Sequence, residues 1–127
     1  MDLLLDTHAF LWWDAGAAQL GKEARTAIAN SENSVFVSAA SIWEISIKAA
    51  RGKLAYTGSP AAAIVANGFQ PLPITIIHAE AAGALSWTHS DPFDRMLVAQ
   101  AQAESLILVH ADSVISSYPL QQLWARS

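Results

Sequence analysis

Four acids in this chain stand where acids can do chemistry. Asp6 ends the apolar run LLL, Glu44 lies within SIWEISIK, Asp94 within DPFDR, and Asp112 shortly after LILVH. Carboxylates about 4 Å apart repel by roughly 4 kcal/mol near a protein surface, so such a group must spread, take up protons or be neutralised. An oxygen-rich set with no cysteine and no histidine pair suits a hard cation, Mg²⁺ or Mn²⁺, which keeps several waters and binds phosphate oxygens. Ions of that kind activate water and stabilise the leaving oxygen in phosphodiester hydrolysis. The four acids are distant in sequence, so everything depends on the elements that carry them.

Residues 3–5 suit a fully buried strand, and a helix over 7–14 follows. A second helix spans 21–30, with Ala24, Ile28 and the more distant Leu20 at helical spacing. SVFVS, residues 34–38, is β-branched and aromatic, the mark of a strand. The stretch 38–54 predicts a helix that starts at a serine cap and stops at Gly52. Ser59 before Pro60 opens an alanine-rich helix to about 67–68, prolines extend 70–75, and 76–86 is helical. Asp91 before Pro92 opens a helix to about Glu104. LILVH, residues 106–110, is the clearest buried strand, and 119–124 predicts a strand at a sheet edge after a short turn. Strands alternating with helices predict an α/β layer fold with a mostly parallel sheet, whose sites form beyond the carboxyl ends of the strands.

That rule gives the acids a common address. Asp6 and Asp112 follow strands directly, Glu44 lies in the second turn of a helix leaving that edge, and Asp94 lies in the first turn of the DPFDR helix. Each also has a plainer reading. Asp6 and Asp112 can cap the helix or turn that follows. Glu44 belongs to a polar stripe with Ser41, Lys48 and Arg51, and Glu44 with Lys48 is the favoured i, i+4 ion pair. Asp91 reads mainly as a cap, and Asp94, at N3, can reach the cap backbone.

Other residues carry less. His8, His78, His89 and His110 lie in separate segments without metal-ligand spacing, which favours structural or rim roles. The five tryptophans suit packing in a core or interface more than base stacking. Lys48, Arg51 and Lys53 form a local basic cluster, either completing a helix C-terminus or contacting phosphate. G-x-S-x-G, P-loop and G-x-G-x-x-G signatures are absent, which argues against serine hydrolases and nucleotide binding.

With 127 residues, 53% of them hydrophobic, the chain predicts a single domain over 1–127 that buries its own core. Absence of cysteine excludes disulfides and thiol chemistry, and fits a reducing cytosol. No apolar run reaches membrane-spanning length, so the expectation is a soluble, cytoplasmic protein without a membrane partner. A net charge of −4 gives no general field for nucleic acid, so a phosphate-bearing substrate needs local cations.

Taken together, LLLDTHAFLWW, SIWEISIKAARGKL and DPFDRMLVAQAQAESLILVHAD resemble, in order and spacing, the PIN-domain ribonucleases, specifically the VapC toxins of bacterial type II toxin–antitoxin pairs. The resemblance covers nearly the whole chain. It implies a three-layer α/β/α sandwich with a mostly parallel central sheet and Mg²⁺- or Mn²⁺-dependent endonucleolytic cleavage of RNA. By motif, Asp6, Glu44, Asp94 and Asp112 become the catalytic and metal-holding acids, with Thr7 and Asp91 in support. The implied partners are an RNA substrate, a cognate VapB-like antitoxin and a second copy in a homodimer. One departure is His110-Ala111-Asp112, where the family often has T-x-D; the lost hydroxyl is expected to weaken support for the metal. A non-catalytic PIN-like module that holds RNA or protein is the alternative. A receiver domain would need a lysine after a late strand, and LILVHAD has none.

Overall fold

The first strand, β1 (Asp2–Leu5), is the middle of the sheet, and its composition explains why. Leu3, Leu4 and Leu5 are all fully buried. A strand covered on both faces reads as a continuous apolar run. In the computed structural model, which describes residues 1–126, Leu3 and Leu5 pack with Phe10, Ile28 and Ile45 on one face. Leu4 packs with Leu97, Val98, Leu108 and Ile115 on the other.

Five strands line up in the order β3-β2-β1-β4-β5, with β2 (Ser34–Ser38), β3 (Gln70–Leu72), β4 (Ile107–His110) and β5 (Gln122–Trp124). Every neighbouring pair is parallel. The helices α1 (Thr7–Ala15), α2 (Lys22–Ala29), α3 (Ala39–Ala50) and α4 (Pro60–Ala66) supply the first core. On the other side, α6 (Pro92–Ala103) and α7 (Ser113–Ser116) supply the second, and α5 (Ile76–Ala84) packs on α6. This is the expected three-layer sandwich, with an all-parallel sheet. The chain leaves β1 toward β2 and β3, then returns to place β4 on β1's other side. A crevice opens at the carboxyl ends where the direction switches.

The capping residues carry the helix starts. Asp6, Ser38, Ser59, Thr75, Asp91 and Asp112 each accept a backbone N–H at the start of the following helix. Some boundaries differ from expectation, among them the last strand, expected over 119–124 and observed over Gln122–Trp124. The helix in the stretch 38–54 ends at Ala50 and the chain turns through Gly52 at φ +69°, the stop expected for it. The one expected to 86 stops at Ala84, where Leu85 becomes extended. The segment at 70–72 is a true edge strand, where Pro71 is tolerated because an edge leaves some donors unused.

A buried polar chain ties α3, α5 and α6 together. Ser38 caps α3 and donates its hydroxyl to Gln100 Oε1 at 2.5 Å. The Gln100 amide reaches the Pro73 carbonyl and His78 Nδ1, both at 3.3 Å. His78 Nδ1 also accepts the Thr75 N–H, and its Nε2 lies 2.9 Å from Glu104 Oε2. Ser38 and Gln100 are fully buried and His78 nearly so. Removing Gln100 leaves groups without partners in a cavity, which is more damaging than losing an exposed bond. Gln100→Ala is expected to lower stability by about 3 kcal/mol in urea unfolding, against under about 1 kcal/mol for Gln102→Ala, whose amide bonds to Pro119 at the surface.

Candidate active site

Asp6 sits one residue beyond β1, where the ladder still holds it: its N–H donates to the Val109 carbonyl at 3.0 Å. Its Oδ1 accepts the Ala9 N–H at 2.8 Å, so capping and delivery of a carboxylate to the sheet edge coexist in one residue. Asp112 repeats the arrangement after β4, its Oδ1 accepting from Val114 N at 2.8 Å. Both line one cleft of about 370 Å³ together with Thr7, Glu44, Asp91 and Asp94. The convergence expected from topology is therefore present.

Glu44 does not face solvent as a polar helix stripe would; it is buried. Its Oε1 accepts the Thr7 hydroxyl at 2.6 Å, and its Oε2 pairs with Lys48 at 2.6 Å. Ser41 Oγ, fully buried, lies 3.1 Å from the same Thr7 oxygen. The polar stripe thus faces inward at Ser41 and Glu44, and only Lys48 and Arg51 turn toward solvent. Of the basic cluster, Lys48 lines the cleft, whereas Arg51 and Lys53 are exposed beyond the end of α3. Thr7 orients this carboxylate.

Asp91 spends its Oδ1 on the N–H groups of Phe93 and Asp94, at 2.9 and 3.1 Å, so its capping role is realised at the cleft wall. Asp94 does not reach back to the cap. Its Oδ2 instead lies 2.7 Å from His89 Nε2. His89, Asp94 and Asp112 offer ligand atoms that all lie within 4.8 Å of one another. The sequence favours a structural or rim role for His89, and the structure brings it into the acidic cluster. Nothing in its spacing marks it; the cue is Arg95, whose guanidinium gathers the carbonyls of Ala82, Leu85, Trp87 and His89 and so shapes the loop before α6.

The departure at His110 also has a structural answer. Its ring is buried, Nδ1 accepts the Asp112 N–H at 3.1 Å, and Nε2 lies 2.8 Å from Gln122 Oε1. Burial lowers its pKa, which keeps the ring neutral and fixed as an acceptor for the Asp112 backbone. The tryptophans divide: Trp12 lines the cleft, Trp13 packs on Phe69, and Trp87 packs on Tyr118. Trp43 and Trp124 are exposed, each in edge-on contact with one ring, Phe93 and His110 respectively.

The electrostatics fit a cation. Burial pushes Asp6 up to about 7, with Asp94, Glu44 and Asp112 adding repulsion and only the Ala9 N–H opposing. Asp94 rises to about 6, again through burial first, against the pull of His89. Two carboxyls held out of water next to further acids are relieved by a positive ion, and the donors are chiefly hard oxygens.

The chain matches the PIN domain family over residues 3–119, and it belongs to that family. Its fold is shared with a toxin–antitoxin complex from Klebsiella pneumoniae, at 17% identity and TM-score 0.69 over 96% of each chain. VapBC2 from Rickettsia felis, bound to a DNA fragment from its promoter, is 13% identical with TM-score 0.68 over 97% of this chain and 98% of that one. DNA-bound VapBC from Salmonella typhimurium is 16% identical with TM-score 0.67 over 97% of each. No curated protein matches the chain by sequence.

The raised acids set a pH dependence. Unfolded, both carboxyls titrate near 3.8; folded, Asp6 and Asp94 hold protons to about 7 and 6. Between those limits the folded state binds more protons, so stability present below about pH 4 is lost as pH rises through about 7. In EDTA, Tm is expected to fall between about pH 5 and pH 8, and Mg²⁺ or Mn²⁺ to raise it more at the higher pH. Asp6→Asn removes most of that slope and raises the metal-free Tm at about pH 8. A metal-free Tm that climbs across this range contradicts the assignment.

Proposed function

We propose that this PIN domain is a divalent-metal-dependent endoribonuclease of the VapC kind, the toxin of a toxin–antitoxin pair. The observation that carries the reading is the convergence of Asp6, Glu44, Asp94 and Asp112, with His89, in one cleft at the switch point of the sheet. Asp6, Asp94 and Asp112 would hold Mg²⁺ or Mn²⁺, with Glu44 completing the acidic wall. When bound, the ion lowers the pKa of a water and stabilises charge on the phosphate.

The chain's own residues do the positioning. Thr7 and Lys48 fix both oxygens of Glu44, so that carboxylate presents a set face to the cleft. Backbone N–H groups at the starts of α1 and α7 hold one oxygen each of Asp6 and Asp112 and leave the other for the ion. His89 orients Asp94 and partly offsets its charge. Lys48 adds a cation where a phosphate enters, in a domain of net charge −4.

The solved neighbours are toxin–antitoxin complexes, which supports an antitoxin partner for this chain. A homodimer and a cytoplasmic location belong to the same reading. None of the helices among the described residues is long and apolar enough to cross a membrane.

Cleavage of total RNA is the test. Mg²⁺ or Mn²⁺ is expected to support it and EDTA to stop it. Asp6→Asn and Asp94→Asn are each expected to lower the rate by roughly a hundredfold or more, and Thr7→Val by roughly ten- to hundredfold, with circular dichroism unchanged. Wild-type protein that binds RNA without cutting it would instead make the domain a binding module.

A further inference from the structure

Beside the acidic cleft lies a second hollow, of about 310 Å³, between α1 and residues 54–56. His8 and Trp12, one helical turn apart on α1, line both spaces. Their rings stand 5.8 Å apart at a tilt of 33°, forming a shelf that runs from one hollow into the other. The guanidinium carbon of Arg126 lies 5.8 Å from the centre of the Trp12 ring. Leu11, Leu54 and Tyr56 add apolar and aromatic lining, beside one acid, Asp14. The Tyr56 hydroxyl is bonded to Asp14 Oδ2 at 2.9 Å, so its ring is held in place.

The charge inventory sharpens what this shelf is for. Lys48 is committed to Glu44, Arg25 to the carbonyls of Ala17 and Leu20, and Arg95 to carbonyls before α6. Among the described residues lining the cleft, Lys48 is the one lysine or arginine, and Arg51 and Lys53 are exposed beyond the end of α3, so a strand of RNA there meets few cations that can answer its phosphates. Stacking is the other sequence-tolerant source of affinity, since every base has a π face. An aromatic wall with a guanidinium laid over it combines stacking with a phosphate contact, the two features a nucleotide recognises. A wholly aliphatic groove would suit the apolar face of a protein helix instead.

We propose that this hollow takes an unpaired nucleobase of the RNA, stacked on Trp12 and His8 next to the scissile phosphate, with Arg126 at the adjoining phosphate. The proposal rests on the ribonuclease reading above. It makes Trp12 and Arg126 determinants of substrate binding, outside the acidic cluster.

The test uses the full chain in the Asp6→Asn background and a short fluorescein-labelled single-stranded RNA. The same RNA carries an abasic nucleotide at each position in turn. Fluorescence anisotropy is expected to show roughly tenfold weaker binding for an abasic nucleotide at one position. Adding Trp12→Leu is expected to remove that difference, and Trp12→Phe to keep most of it. The Phe variant keeps the test decisive if the Leu variant fails to fold. In the otherwise wild-type enzyme, Arg126→Gln is expected to raise KM severalfold, with the loss in KM rather than kcat. Equal affinity for intact and abasic RNA at every position overturns the shelf, leaves the hollow to a protein segment, and leaves metal-dependent cleavage untouched. RNA that is neither bound nor cut overturns both readings together.

Discussion

The structure is organised around a repulsion. Several carboxylates are held at the carboxyl edge of a parallel sheet, two of them with pKa values pushed up by burial and by their acidic neighbours. Left ionised, they oppose folding; that is the ordinary consequence of removing like charges from water. The fold tolerates them because much else around them is satisfied. No buried side-chain nitrogen or oxygen among the described residues lacks a hydrogen-bond partner. Two cores, one on each side of a central leucine strand, supply the surplus that such a cluster consumes.

The same backbone features that terminate strands and start helices also deliver the acids. Asp6 lies one residue beyond β1 and Asp112 two residues beyond the neighbouring parallel strand β4, and each begins a helix. The parallel pairing of β1 with β4 therefore brings both acids to one edge of the sheet. Glu44 and Asp94 come from helices that Ser38 and Gln100 join through a buried hydrogen bond. Four positions remote in sequence are thus tied to the sheet or to each other by a few short contacts.

Much of this was legible in the sequence, for identifiable reasons. LLL, SVFVS and LILVH are apolar enough to be strands covered on both faces, and Asp or Ser before a helical pattern fixed most helix starts. The acids could be placed at one edge because a parallel sheet puts every strand's end there. What could not be read was orientation. Glu44 and Lys48 form the surface-type pair their spacing suggests, yet Glu44 is buried, because Thr7 reaches it from another helix. His89 could not be placed beside the acids because a loop histidine has no periodicity; its place is set by contacts that Arg95 makes across the loop. The effect of His110 was likewise hidden, since its ring, rather than a hydroxyl, supports the Asp112 backbone.

Arg95 has a consequence for how such a domain can diverge. Its guanidinium is met by main-chain carbonyls from the end of α5 to His89, and carbonyls are present whatever side chains the loop carries. The loop's path is thus insulated from its own composition. Ser86, Thr88 and Ser90, all exposed, can drift freely while the curve of the chain persists. A single cationic anchor in this way lets the rim of the cleft change its surface chemistry without disturbing the acids behind it.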